Sequence, residues 1–205
     1  RGNYNNLSND FVFLSMSAKG FNEEGSREKL RRFLTILIEN DPVNCGDMQT
    51  GNRFVKSLDE IRGNVQDTSI VHGVFDNQDA AARFMRRLKE EDIGISVVVS
   101  GIYSATERCC REAGVKKHTV EHSMGIFGRV ERLPDEEFLE LTTMCGHGMV
   151  PANLLEKVIV EIKKGKKSFK EAAEELAKPC HCGIYNPVRA EKLLKKLVPK
   201  MTFEE

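Results

Sequence analysis

The apolar residues of this chain change their period once, near residue 130, and that change limits the folds open to it. Before it, short apolar runs alternate with helical stripes. After it, from Leu133 onward, the spacing is helical throughout. The pattern predicts an α/β layer of alternating strands and helices over residues 1–130. An all-α helical unit over residues 131–205 follows, and α+β is the alternative description. The 205 residues are enough for one domain with a real core or for two small ones.

In the first part, Phe11-Val-Phe-Leu-Ser-Met16 reads as a buried strand. Ser26 is a cap for a helix whose Leu30, Phe33, Leu34, Leu37 and Ile38 form one stripe, ended by Asn40-Asp41-Pro42. Residues 43–67 read as polar and loop-like, with Asn44-Cys45-Gly46-Asp47 as a turn and a short element over Phe54 to Ile61. Ser69–Phe75 is a second strand. Asn77 caps a helix that buries Ala81, Phe84, Met85 and Leu88. Ile95–Ser100 carries three consecutive valines and reads as a strand buried on both faces. Ser104 and Glu107 form a capping box for a short helix bearing Cys109 and Cys110, and His118–Phe127 is a fourth strand. Alternation of this kind predicts strands that are at least partly parallel.

The second part reads as a four-helix unit. Pro134 opens a helix with Phe138, Leu141 and Cys145 on one face. Leu154, Leu155, Val158, Ile159 and Ile162 line the next, closed by Gly165. Ser168 and Glu171 make a capping box for a third, which Pro179 ends, and Asn186-Pro187 starts a fourth.

The six cysteines carry the chemistry. Cys45, Cys109, Cys110, Cys145, Cys180 and Cys182 are too sparse for a secreted disulfide scaffold, and two pairs are too crowded for ordinary bridges. This points to a reducing, cytoplasmic setting. Cys145-Gly-His147-Gly-Met149 joins the first two helices of the C-terminal unit, and Cys180-His181-Cys182-Gly183 joins the last two. In an up-down bundle those loops lie at the same end. Cys145, Cys180, Cys182 and His147 are therefore expected to converge as metal ligands, because crowded thiolates repel unless a cation neutralises them. A [4Fe–4S] cluster would take the three cysteines and a fourth ligand from Cys109, Cys110, Cys45 or His147. Zinc is the alternative, in a Cys3His set. Beside this centre, Arg189 and His181 are the candidates to bind a small anionic molecule, Arg189 through a bidentate contact in the first turn after Asn186-Pro187.

The rest of the sequence narrows the function classes. Residues 151–205 hold 12 basic and 8 acidic side chains, about +4, and residues 1–150 hold 19 and 23, about −4. A chain of zero net charge with no Trp is not a bulk nucleic-acid binder, and the run Lys163–Lys167 reads as a solvated helix end. No apolar run approaches the ~18 residues of a membrane span. His118-Thr-Val-Glu121-His122 has the letters of an inverted zinc peptidase, but that chemistry needs a helix, and these residues favour a strand that turns Glu121 to the opposite face. Nucleotide loops and hydrolase elbows are absent from the sequence. The expectation is a cytoplasmic iron–sulfur metalloprotein doing redox or Lewis-acid chemistry on a small anion. The alternatives are an interaction module with structural zinc and a protein partner, and a thiol sulfur carrier.

Overall fold

The computed structural model describes residues 1–201. After the short helix α1 (Tyr4–Leu7), a five-stranded sheet forms from β1 (Phe11–Met16), β2 (Asn44–Asp47), β3 (Gly51–Asn52), β4 (Ile70–Phe75) and β5 (Val97–Ser100). Helices α2 (Ser26–Glu39), α3 (Leu58–Asn64), α4 (Gln78–Glu91) and α5 (Tyr103–Ala113) are interspersed. The strand order is β3-β2-β4-β1-β5, and every neighbouring pair is antiparallel. The architecture is therefore α+β, and the expectation of partly parallel neighbours is corrected. Each crossover through a helix does carry the chain to a strand running the same way. It skips one place, however: β4 lies between β1 and β2, and β1 lies between β4 and β5. This is a split β-α-β arrangement, in which alternation along the sequence gives antiparallel contacts in space.

One face of the sheet is packed by the helices. Phe11, Phe13, Val71 and Phe75 point into a core shared with Leu30, Phe33 and Leu34 of α2 and Phe84 of α4. Phe84 is central, with its ring 4.9 Å from Phe13 and 5.4 Å from Phe33, both edge-on. Such edge-to-face contacts align the positive rim of one ring with the negative face of another. Helix α4 starts where the sequence places it: the Asn77 side chain accepts the Ala80 N–H at 2.8 Å.

Several local expectations are corrected. Asn44–Asp47 is not a turn but a strand, fully buried, paired to β4 from Asn44 opposite Val74 to Asp47 opposite Val71. Pairing on both edges outweighs the low strand propensity of Asn, Gly and Asp. The three valines of β5 are not buried on both faces. β5 is an edge strand, and Val98 is 53 % exposed. His118–Phe127 forms no strand: the chain there has no regular secondary structure and is exposed. Helix α5 begins at Tyr103 without a side-chain cap, so Ser104 and Glu107 make no capping box. Helix α2 likewise has Gly25 at its cap, while Ser26 is buried and donates its hydroxyl to the Asp67 carbonyl at 2.8 Å.

The C-terminal region is all helical: α6 (Glu136–Thr142), α7 (Ala152–Lys163), α8 (Phe169–Ala177) and α9 (Pro187–Leu197). Contacts run α6 to α7, α7 to α8, α8 to α9 and α9 back to α6. This closed ring buries Leu141, Leu155, Val158, Ile159, Leu176 and Leu194 in a second core. The Ser168–Glu171 capping box forms, and Asn186 caps α9 by accepting the Arg189 N–H. Among the described residues no helix is long and apolar enough to cross a membrane.

Candidate metal centre

Helix α6 stops at Thr142, so Cys145 lies in the loop beyond it rather than on the helix. Its side chain nevertheless enters the second core and is fully buried. Gly146 (φ 73°) and Gly148 (φ 64°) adopt the left-handed region that glycine occupies without a Cβ penalty. They curl the loop back over the sulfur. The Met149 N–H donates to Cys145 Sγ at 3.2 Å, and the backbone amides of His147 and Gly148 also point to it. Facing Cys145 is Cys180, hydrogen-bonded to it and itself approached by the amides of Ile184 and Tyr185. Cys180 and Cys182 are both buried, while His147 and His181 are exposed at the rim. His147 Nδ1 stands 3.5 Å from Cys182 Sγ. The two interhelical loops thus meet at one end of the ring, as the up-down argument requires.

The electrostatics of the pair follow from these contacts. The Cys180 thiol, then the backbone amides, stabilise the Cys145 thiolate and hold it well below its ordinary value of 9.0. Cys180 moves the other way, first because it is the donor to Cys145, then because it is buried beside that negative charge. One thiolate is favoured and the second opposed, so both sulfurs become anionic only when a cation offsets the repulsion. Burial raises Cys182 as well.

The sheet builds the other wall of this centre. Asn52 Nδ2 donates to the carbonyls of Ala177 and Lys178 at 3.1 Å and of Cys180 at 2.7 Å, holding the end of α8 and the start of the cysteine loop. Asn44 Nδ2 donates to the Tyr185 carbonyl at 2.8 Å. The backbones then close to contact: a Cβ on Gly46 would lie 2.9 Å from the Cys182 carbonyl oxygen, and one on Gly183 would lie 2.3 Å from the Cys45 carbonyl carbon. Glycine at both places allows the crossing. Sequence reasoning missed Asn44, Asn52 and Gly46 because the segment holding them reads as loop. His72 sits in the same seam. It was missed although a histidine inside the apolar run Ser69–Phe75 is itself a signal.

Other sequence-derived candidates go elsewhere. Arg189 is 6 % exposed and its guanidinium is taken. It pairs with Asp10 at 2.9 Å, donates to Asn6 Oδ1 at 3.2 Å and to the Arg1 carbonyl, and lies 3.7 Å from Glu140. It ties the N-terminal segment to α9 and does not face the cysteine loops as a free anion contact. His181 lies over β3, its Nδ1 3.9 Å from where a Cβ on Gly51 would be. Cys45 faces the α2 core, and its thiol is pushed up to about 11 by burial. Cys109 packs in that same core, with Cys110 half-buried beside it. His122 stacks edge-on to Tyr103 at 6.4 Å, and His118 contacts Thr119, so the His-x-x-Glu-His segment gathers no metal site. Clefts of about 260 and 480 Å³ lie beside Arg53 and Phe54, and none of the cysteine-loop sulfurs lines them.

Among the described residues, no three His, Cys, Asp or Glu side chains converge on one ion-sized point. The donors stand instead as two pairs, Cys145 with Cys180 and Cys182 with His147. No protein-family model, curated protein or solved structure matches this chain. A functional reading therefore rests on the site itself.

Proposed function

We propose that this chain is a metalloprotein that holds an iron–sulfur cluster through Cys145, Cys180 and Cys182. The observation that carries the reading is the amide cradle. Two interhelical loops aim backbone N–H groups at the facing sulfurs of Cys145 and Cys180, which are buried together. N–H groups aimed at sulfur stabilise thiolates, and paired thiolates call for a cation. The donors' division into two pairs supports a cluster over zinc. A single zinc needs all four donors about 2.0–2.3 Å from one point, whereas a cluster spreads its ligand positions over several irons. The exposed rim of His147 and His181 supports access by a small anionic molecule, and redox or Lewis-acid chemistry on it.

A second reading has its own observation. Direct contact between Cys145 and Cys180 suits a dithiol that cycles through a disulfide. Anaerobic purification with iron, sulfide and zinc analysis separates the readings. The cluster reading expects a brown protein with matching iron and sulfide, and loss of most of both in Cys182→Ser, with Cys110→Ser unaffected. Colourless protein with one zinc per chain would overturn it in favour of a structural zinc site. Metal-free protein that forms a Cys145–Cys180 disulfide on mild oxidation would overturn it in favour of the dithiol.

A further inference from the structure

One edge of the sheet is left bare. β5 pairs with β1 and has no neighbour on its other side. Native edge strands are usually guarded by a Lys, a Pro, a bulge or a covering element. Val97-Val-Val-Ser100 holds no Lys and no Pro, and its register with β1 runs unbroken from Ser15 opposite Val97 to Val12 opposite Ser100. Val97 and Val99 pack on the first core. Side chains alternate along a strand, so Val98 lies on the other face, across from Leu14. Val12, Leu14, Met16 and Ile70 share that face with it, and none of the five belongs to either core.

A second unfinished surface follows α5. Residues 116–137 are exposed without a break. Val120, Met124, Ile126, Phe127, Val130 and Leu133 lie in this stretch, with Met124 81 % and Phe127 79 % exposed. Single exposed apolar residues are ordinary, but a run of this size marks an interaction surface. In an extended strand Val120, Met124 and Ile126 would share one face. The segment passes the end of β5: the Tyr103 hydroxyl donates to the Glu121 carbonyl at 3.1 Å, and His122 meets the Tyr103 ring at 6.4 Å. It still joins no strand and leaves the β5 edge unpaired.

We propose that the chain binds a second copy of itself by strand addition: residues 118–127 of each copy pair antiparallel with β5 of the other, about a two-fold axis. With Met124 opposite Val98, the row from Leu14 to Val98 continues into Met124, and Ile126 falls on the same face. The antiparallel direction also carries Arg129 and Arg132 toward Glu90-Glu91-Asp92, the acidic stretch ahead of β5. Residues 116–133 hold four basic and two acidic side chains, so charge favours the same pairing as the apolar pattern. Each copy contributes residues 118–133, β5 and the open side chains of β1, which reaches the about 20–30 residues a side of a stable interface. A second copy completes both surfaces at once, whereas a peptide partner would cover only one. Nothing in this pairing depends on what the cysteine loops bind.

The test is analytical ultracentrifugation of the whole chain over a dilution series, with reductant present so that no intermolecular disulfide contributes. The variants are Val98→Lys, Met124→Lys, Glu90→Arg, Arg132→Glu and the double reversal Glu90→Arg with Arg132→Glu. Far-UV circular dichroism checks that each keeps the parent fold, and all four positions are exposed. The parent is expected as a dimer that dissociates on dilution. Val98→Lys and Met124→Lys should each weaken it at least about tenfold, since a two-fold axis repeats every change. Each single charge reversal should weaken it too, and the double reversal should restore it toward the parent. If Val98→Lys does not fold, the charge reversals decide alone. A parent that stays monomeric would overturn the pairing, whether the segment lies open, closes on its own edge or takes a different protein. A dimer unchanged in Met124→Lys, or a double reversal no tighter than the single ones, would overturn it as well.

Discussion

Removing the Asn52 side chain should loosen the cysteine loop from the sheet at a cost that can be worked out. The two Nδ2 hydrogens serve the carbonyls of Ala177, Lys178 and Cys180, and Oδ1 accepts the Phe54 N–H at 2.8 Å. That is three hydrogens' worth of bonding, at a net of about 1 kcal/mol each. The Ala177 and Cys180 carbonyls keep second partners, the N–H groups of Cys180 and Gly183. The full penalty of an orphaned acceptor is thus not added there. Asn52→Ala should cost about 3 kcal/mol, a large fraction of a typical domain's stability. With a urea slope of about 2 kcal/mol per molar, the unfolding midpoint should fall by about 1.5 M. Asn52→Asp keeps the volume but sets a carboxylate against the three carbonyls. It should be worse than Ala, because a buried unpaired charge costs more than a missing bond. Urea unfolding followed by far-UV circular dichroism measures both. A midpoint shift in Asn52→Ala below about 0.5 M, or Asn52→Asp as stable as Asn52→Ala, would refute the stapling role.

Two further outcomes are expected. Arg189→Met should destabilise by about 3–5 kcal/mol, since it strands Asp10 and Glu140 beside α9 without their cation. Urea unfolding reads that loss, and a cost under about 1 kcal/mol would mean the pair is not holding the N-terminal segment. Glu171, bonded to the Ser168 backbone and hydroxyl at the start of α8, is held below its ordinary value of 4.5. The folded state thus binds this proton less readily than the unfolded one. The contribution is full above pH 4.5 and is lost as pH falls through the folded value. Unfolding midpoints taken across that range should fall more steeply toward acid in the parent than in Glu171→Gln, and parallel curves would contradict the linkage.

The sequence by itself determined several helix starts and the placing of two cysteine-bearing loops at one end of the helical unit. Ser168 with Glu171, Asn77 and Asn186 carry their caps in the local order of residues, because a side chain reaching a backbone N–H two or three positions on needs no distant partner. Convergence of the 145–149 and 180–183 loops also followed from the chain alone, since alternate connections in a closed ring of helices share an end. Only the tertiary structure decided what was non-local. Whether strands joined by a helix become neighbours depends on which place in the sheet the crossover skips, and β4 inserted between β1 and β2 made every contact antiparallel. Asn44–Asp47 became a buried strand, against its composition, because β3 and β4 pair with it on both sides. Arg189 became an internal anchor by pairing with Asp10, and the cysteine loop came to rest on the sheet through Asn44 of β2 and Asn52 of β3, at the β3–β2 edge. That packing juxtaposes residues more than 70 positions apart, a pairing that no periodicity along the chain encodes.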